Sequence, residues 1–512
     1  MRNKIFQIFC GTTIIFLAGC NLFQKEQEFR RETIFDKIVN IETDIIKDLP
    51  YLPPLCDKIS NLKKGDVPIK DGKLYYEEEG QGLPLVLING GPGGTHHVFH
   101  PEFSQLKDVA RIIYYDQRGT GKSSHDPTGN TYTIKQAIED LDELRKTLGF
   151  DRWVVLGWSY GGLLAQCYTL AYPKHVSGLV LVASSEALPS TIHKRSRTRL
   201  FLSQEEQDTI KNIWSKLEAG ELTLQQSTYN AQLNGDWKRQ NYYKPTQSEI
   251  IRSTLYEWQP AQNFRTFIGS EQQKINLHGL FDDFKILTII FEGRWDLTWD
   301  TDKFELMQKN HPHAKLHIFE KSGHRIFGDE QEKFFTLVRT FLKKAAATKE
   351  TAIPGKKITW PQPISDIERQ LIRADALPKE EKDKQLLNLY KQALEENSKQ
   401  RMVWIALANY FIKAQDHAEE LLHTLQKLEN SIQQTDSEHW KRFGYVIKAW
   451  QGHMLDLLGR RNEAIQHYKK ALKINNGQRD NYFGATNIYI DQKWLENRLN
   501  TPFQEGLRAT KP

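Results

Sequence analysis

The chain has 512 residues, of which 26% are charged and 39% hydrophobic, and a formal net charge of +6. That length exceeds one ordinary core and predicts two or three domains in a soluble globular chain. The charge is small for the length and forms no long basic run, which leaves no case for a nucleic-acid partner.

The first twenty residues differ in kind. Arg2 and Lys4 precede an apolar stretch from Ile5 to Ala18, too short for a comfortable membrane span but right for a signal h-region, so residues 1–19 are expected to be removed rather than folded. The stretch ends Leu17-Ala18-Gly19-Cys20, which resembles a bacterial lipobox. That resemblance implies cleavage before Cys20, lipid on its sulfur and an extracytoplasmic, membrane-anchored protein. The alternatives are an ordinary signal peptide or an uncleaved anchor. Cys10 would be lost with the signal. Cys56 and Cys167 remain and could pair in an oxidising compartment, although one lies in the approach segment and the other on a helix where it reads as a packed apolar residue.

Residues 20–66 read as a polar spacer or arm, Pro-rich at Leu49 to Pro54. From Val67 the texture turns to strands, at Val67–Lys70, Lys73–Glu78 and the apolar Leu83–Ile88. Asn89 to Gly94 follows, with four glycines and a proline, a tight loop whose backbone can come close to a ligand. Ala110–Tyr115 is the next strand, ending in Asp116-Gln117-Arg118-Gly119. A helix over Ile134–Leu148 carries an apolar stripe, capping-box spacing at Thr133 and Gln136, and a closing Gly149. Arg152–Leu156 and Gly178–Ala183 are further apolar strands flanking a helix over Gly162–Tyr172. Such alternation predicts a mostly parallel sheet covered on both faces. Polar, aromatic-rich helical sequence over about 186–280 reads as an inserted cap. The sheet resumes at Lys285–Phe291 and Ala314–Phe319, and a helix over Glu330–Lys344 closes a domain spanning 67–344.

Within this order, Gly157-Trp158-Ser159-Tyr160-Gly161 joins a strand to a helix. A serine on so sharp a turn needs small residues two before and two after it, which Gly157 and Gly161 supply, and it projects its hydroxyl away from the sheet. A hydroxyl is a weak nucleophile until a base takes its proton, and the base works best when a carboxylate fixes its tautomer. Ser159 is the expected nucleophile, His324 in Ser322-Gly323-His324 the base, and Asp296 in Gly293-Arg294-Trp295-Asp296 the orienting acid, with Asp300 as its rival. The backbone N–H groups of Tyr160 and Gly91 would form the oxyanion hole.

These motifs together, with Asn89–Gly94 and Asp116-Gln117-Arg118-Gly119, resemble the proline iminopeptidase (prolyl aminopeptidase) branch of the α/β-hydrolases over roughly Val67 to Lys344. The resemblance implies an α/β-hydrolase fold with a helical cap and removal of N-terminal residues, often proline, from peptides, without metal or cofactor. Asn89 stands where that family usually has histidine. The family grips the substrate amine with acidic residues of its cap, and Glu257 is the candidate here. His96, His97 and His100 cluster in sequence, but with no carboxylate at helical spacing and a mechanism needing no metal they are not assigned as ligands.

Residues 345–366 read as a linker, and residues 367–500 turn wholly helical. Tyr390 and Ala393, then Trp404, Leu407, Ala408 and Phe411, then Gly452, Ala464, Tyr468 and Ala471, recur at a 34-residue period and resemble tetratricopeptide repeats. Such repeats imply a peptide or protein partner, or stacking against the hydrolase. The reading that emerges is a lipid-anchored serine hydrolase acting at peptide N-termini. The alternatives are an esterase or amidase on the same residues, or a surface scaffold whose repeats recruit a partner.

Overall fold

The computed structural model describes residues 62–184, 201–348 and 357–503, the last two spans with short interruptions. The signal segment, Cys10, Cys20, Cys56, the arm up to residue 61, the start of the cap at 185–200 and Asp300 lie outside the described residues. Two compact units divide between Pro363 and Ile364.

The N-terminal unit is built on eight strands: β1 (Lys63–Ile69), β2 (Gly72–Gly80), β3 (Leu83–Ile88), β4 (Ala110–Tyr115), β5 (Trp153–Trp158), β6 (Val176–Val182), β7 (Thr288–Gly293) and β8 (Lys315–Phe319). Their order across the sheet is β1-β2-β4-β3-β5-β6-β7-β8. β2 pairs antiparallel with β1 and β4, and every later pairing is parallel. β5, β6 and β7 are buried along their whole length, which is why they read as unbroken apolar runs. Apolar side chains from one face of these strands pack with Phe327, Phe334, Phe335, Val338, Phe341 and Leu342 in a single core.

β1 starts at Lys63, inside the segment read from sequence as spacer. Its Lys63-Lys64-Gly65-Asp66 start has no apolar alternation because the strand sits at the sheet edge with mostly exposed side chains. β7 likewise begins three residues later than the apolar run that announces it.

Two helices follow the predicted places, α1 (Ile134–Thr147) and α2 (Tyr160–Ala171). Thr133 caps α1 by accepting from the Gln136 N–H at 3.0 Å. The reciprocal half of the capping box is not made, because the Gln136 side chain donates instead to Asp140 at 2.9 Å. Between β6 and β7 lie α3 (Gln204–Glu218), α4 (Leu224–Leu233), α5 (Gln247–Arg252) and α6 (Phe264–Gln272). Two more helices, α7 (Lys303–Asn310) and α8 (Gln331–Ala347), flank β8. Cys167, on α2, is buried, and burial pushes its thiol pKa up, so it behaves as a packed apolar side chain.

The C-terminal unit is helical: α9 (Lys379–Glu396), α10 (Ala418–Gln433), α11 (Glu438–Leu457), α12 (Arg461–Ile474) and α13 (Gln492–Asn500). α11 and α12 approach closely because Gly452 carries no side chain. A methyl there would come within 2.7 Å of the Tyr468 ring, and Ala464, Tyr468 and Ala471 are fully buried beside it. Of the first sequence repeat, residues 367–368, 371–378 and 397–400 lie outside the described residues.

The glycines of the turn around Ser159 are a steric requirement. A methyl on Gly161 would overlap the carbonyl oxygens of Ile88 and Asn89, and one on Gly157 would overlap the Gly161 carbonyl. Backbone cannot step aside as a flexible side chain can, so Gly161→Ala is expected to destabilise the fold by about 3 kcal/mol, near the upper end for overpacking. A denaturant titration against wild type checks this.

Candidate active site

Ser159 sits between β5 and α2 with φ 56° and ψ −123°, a left-handed conformation rare for a residue with a side chain. The conformation is held from both sides. The Ser159 N–H donates to the Val182 carbonyl at 2.9 Å, and the Gly162 N–H donates to the Ser159 carbonyl at 2.9 Å. The Tyr160 N–H therefore opens α2 at its positive end, immediately beside the hydroxyl. The glycine loop reaches the same point: a methyl on Gly90 would lie 2.9 Å from the Ser159 Cβ. Gly91 has φ 130°, a conformation open to glycine and costly for other residues.

His324 and Asp296 come from the loops after β8 and β7. Asp296 Oδ2 lies 2.7 Å from His324 Nδ1, with both side chains buried. Those loops are held together by the Trp295 N–H donating to the Ser322 carbonyl at 2.9 Å, and by Gly293, where a methyl would overlap the Gly323 carbonyl. The histidine loop is also fastened to the serine turn, because the Trp158 indole N–H donates to the His324 carbonyl at 3.0 Å and the two rings lie 5.3 Å apart. Ser159 retains 8% exposure, His324 4% and Asp296 3%, so all three side chains are buried.

Sequence reasoning missed the groups behind Asp296. Lys303, at the start of α7 and only 2% exposed, places Nζ 2.6 Å from Glu292 Oε2 and 3.7 Å from Asp296 Oδ2. Burial alone would raise the Asp296 pKa. The facing His324, then Lys303, overcome it and hold the carboxyl down to about 2, so Asp296 is an anion across the working pH range. No sequence signal marks Lys303, because a lysine in a polar stretch reads as solvated until the fold buries it.

Asn89, where the resembled family has histidine, is fully buried. The Gln117 amide donates to its backbone carbonyl at 3.0 Å and also to its side-chain oxygen. Gln117 thus braces the glycine loop from the loop after β4.

Glu257 lies in the cap segment that runs along the glycine loop. The Thr95 N–H donates to its carbonyl at 3.0 Å, and Gly94 bridges Trp258. Its carboxylate is committed to Arg252 at 2.9 Å and to Arg325 at 3.3 Å, and the buried Glu102 stands 3.9 and 3.6 Å from the same two arginines. Glu257 is thus held in a buried ion-pair network with both guanidiniums. Glu257→Gln is accordingly expected to cost about 3 kcal/mol by stranding buried guanidinium charge, with KM of the folded fraction unchanged. Paired unfolding and kinetic measurements separate these outcomes.

A cavity of about 280 Å³ opens between cap and Asp296 loop, lined by Phe201, Trp237, Lys238, Asn241, Tyr242, Trp295 and Leu297. Its walls are mainly aromatic, and Trp295 and Leu297 are the immediate neighbours of Asp296.

The sheet order, the serine turn and the two loops bearing Asp296 and His324 define an α/β hydrolase fold, and residues 84–331 match the family described as alpha/beta hydrolase fold. Among curated proteins the chain is similar to proline iminopeptidases. It is 29% identical to that of Saccharolobus solfataricus over 293 residues, covering 55% of this chain and 93% of the relative. It is 26% identical to that of Clostridium botulinum over 298 residues, covering 55% and 99%. Among solved structures it is similar to the proline iminopeptidase of Mycobacterium smegmatis, at 20% identity and a TM-score of 0.40, covering 56% of this chain and all of that one.

Proposed function

We propose that the N-terminal unit is a serine hydrolase that releases N-terminal residues, proline among them, from peptides. Ser159 is the nucleophile, His324 the base and then the acid, and Asp296 the carboxylate that fixes the imidazole. The observation that carries this reading is the 2.7 Å contact between His324 Nδ1 and Asp296, on a loop tied to the turn that strains Ser159. An acceptor on Nδ1 requires the proton to be there, so Nε2 is left with a lone pair for the Ser159 hydroxyl. As Ser159 attacks the scissile carbonyl, its proton passes to Nε2, and the imidazolium formed faces a carboxylate already ionised. The N–H groups of Tyr160 and Gly91 receive the oxyanion. His324 then returns the proton to the leaving amine, and water attacks the acyl-enzyme by the same route in reverse.

The similarity to proline iminopeptidases supports the exopeptidase part of the proposal. The aromatic cavity beside Asp296 fits an apolar or ring-shaped residue better than a charged one. Glu257 enters this reading as a support of the cap.

A panel of prolyl and other aminoacyl arylamides, run beside a p-nitrophenyl ester, tests the assignment. The proposal expects arylamide turnover that disappears in Ser159→Ala. Turnover of the ester alone would make the protein an esterase, and turnover of neither would favour a scaffold. The proposal extends to a lipid anchor on Cys20 and a partner-binding helical repeat at 367–500. Palmitate labelling that survived Cys20→Ser would end the first of these.

A further inference from the structure

The fold supplies what the sequence around His96, His97 and His100 lacks. Glu77, nineteen residues upstream on β2, projects into the turn His96–Phe99, and Glu77, His96 and His100 are all fully buried. Their three donor atoms lie within 4.8 Å of one another. His96 Nε2 is 3.3 Å from Glu77 Oε1, and His100 Nε2 is 3.0 Å from Glu77 Oε2.

The protonation pattern makes the arrangement informative. Asp116 accepts the backbone N–H of His96 at 2.9 Å and that of Lys122 at 2.8 Å, and its Oδ1 lies 2.8 Å from His96 Nδ1. A carboxylate accepting backbone donors can only accept from the ring as well, so the Nδ1 proton is fixed. A neutral His96 then turns the lone pair of Nε2 toward another carboxylate. Two acceptors 3.3 Å apart in a dry interior need positive charge between them, either a second proton on His96 or a metal ion. With neutral imidazoles, Glu77 and Asp116 bring two negative charges, which a divalent cation balances. Tetrahedral zinc with bonds of about 2.0 to 2.1 Å sets its ligands about 3.3 Å apart, the separation of His96 Nε2 from Glu77 Oε1, in a donor set that spans no more than 4.8 Å.

The remaining contacts are those of an outer shell. Asp116 orients His96, and the Tyr75 hydroxyl donates to Glu77 Oε1 at 2.5 Å.

We propose that Glu77, His96 and His100 form a structural site for zinc or a similar borderline divalent cation, which pins the turn after the glycine loop to β2. Three protein donors leave one coordination position to water. The site is separate from the chemistry at Ser159 and stands whether or not the peptidase assignment does.

The test uses the full chain, purified without a metal-affinity tag, with metal content read by inductively coupled plasma mass spectrometry. The proposal expects one zinc per chain surviving gel filtration, a melting temperature that falls on chelation and recovers with zinc, and loss of the metal in Glu77→Gln and His100→Gln. Where those variants do not fold, X-ray absorption at the zinc edge of the wild type decides, with two imidazoles and one carboxylate expected. Folded variants that keep their zinc overturn the proposal, as does an absorption spectrum with another donor set. So does a folded wild type that takes up neither zinc nor cobalt and melts at the same temperature with and without them, which assigns the charge to a proton on His96.

Discussion

Ser159→Ala is expected to lower kcat on an aminoacyl arylamide by roughly 10⁶-fold, the scale seen when a serine nucleophile is removed from a preorganised site. KM is expected to change little, because the cavity and the oxyanion donors remain. A second variant isolates the local geometry. At φ 56° any side chain is strained by about 1 to 3 kcal/mol, while glycine adopts this conformation freely but gives up about 0.5 to 1 kcal/mol of chain entropy. Ser159→Gly should therefore be as inactive as Ser159→Ala yet more stable by about 1 kcal/mol. Single-turnover kinetics and denaturant unfolding of the pair check both halves. An alanine variant with near-normal kcat would remove Ser159 from the chemistry.

Asp296→Asn is expected to reduce kcat by roughly 10⁴-fold, because an amide can donate to Nδ1, stabilise the wrong tautomer and leave Nε2 protonated against the serine. The same change has a stability signature with a definite sign. The Asp296 carboxyl is held at about 2 in the fold against 3.8 for the free side chain. A depressed carboxyl stabilises the fold above its unfolded value and loses that contribution as pH falls through its folded one. The wild type should therefore exceed Asp296→Asn in stability by about 2 kcal/mol at neutral pH, with the advantage shrinking between pH 3.8 and pH 2. Unfolding free energies measured across that window check it. A difference independent of pH would mean that Asp296 does not face a cation in the folded protein.

Much of this site was readable from the order of residues because its chemistry is local to strand ends. Gly157 and Gly161 announce a turn that admits no side chains, and Asp296 and His324 each follow an apolar run by a few residues. What could not be read depends on distant burial. Lys303 and Gln117 are ordinary polar residues until the fold places one behind Asp296 and the other under Asn89. Glu77 belongs to a strand whose alternation hides a carboxylate on the buried face, so the histidines that meet it looked unaccompanied. Glu257 carries the opposite lesson. The resemblance offered it as the receptor for the substrate amine, and only the fold reveals Arg252 and Arg325 against its carboxylate. The edge strand β1 was read from Val67 only, because its exposed Lys63–Asp66 start has no apolar run to betray it.

The proposed hydrolysis depends on activation of Ser159 by His324. Treatment of the folded wild type with a fluorophosphonate, followed by peptide mass spectrometry, tests it most directly. The account predicts a single stoichiometric adduct on Ser159, absent in Ser159→Ala and slowed severely in His324→Ala. An unmodified Ser159, or an adduct on another residue at equal stoichiometry, would contradict it.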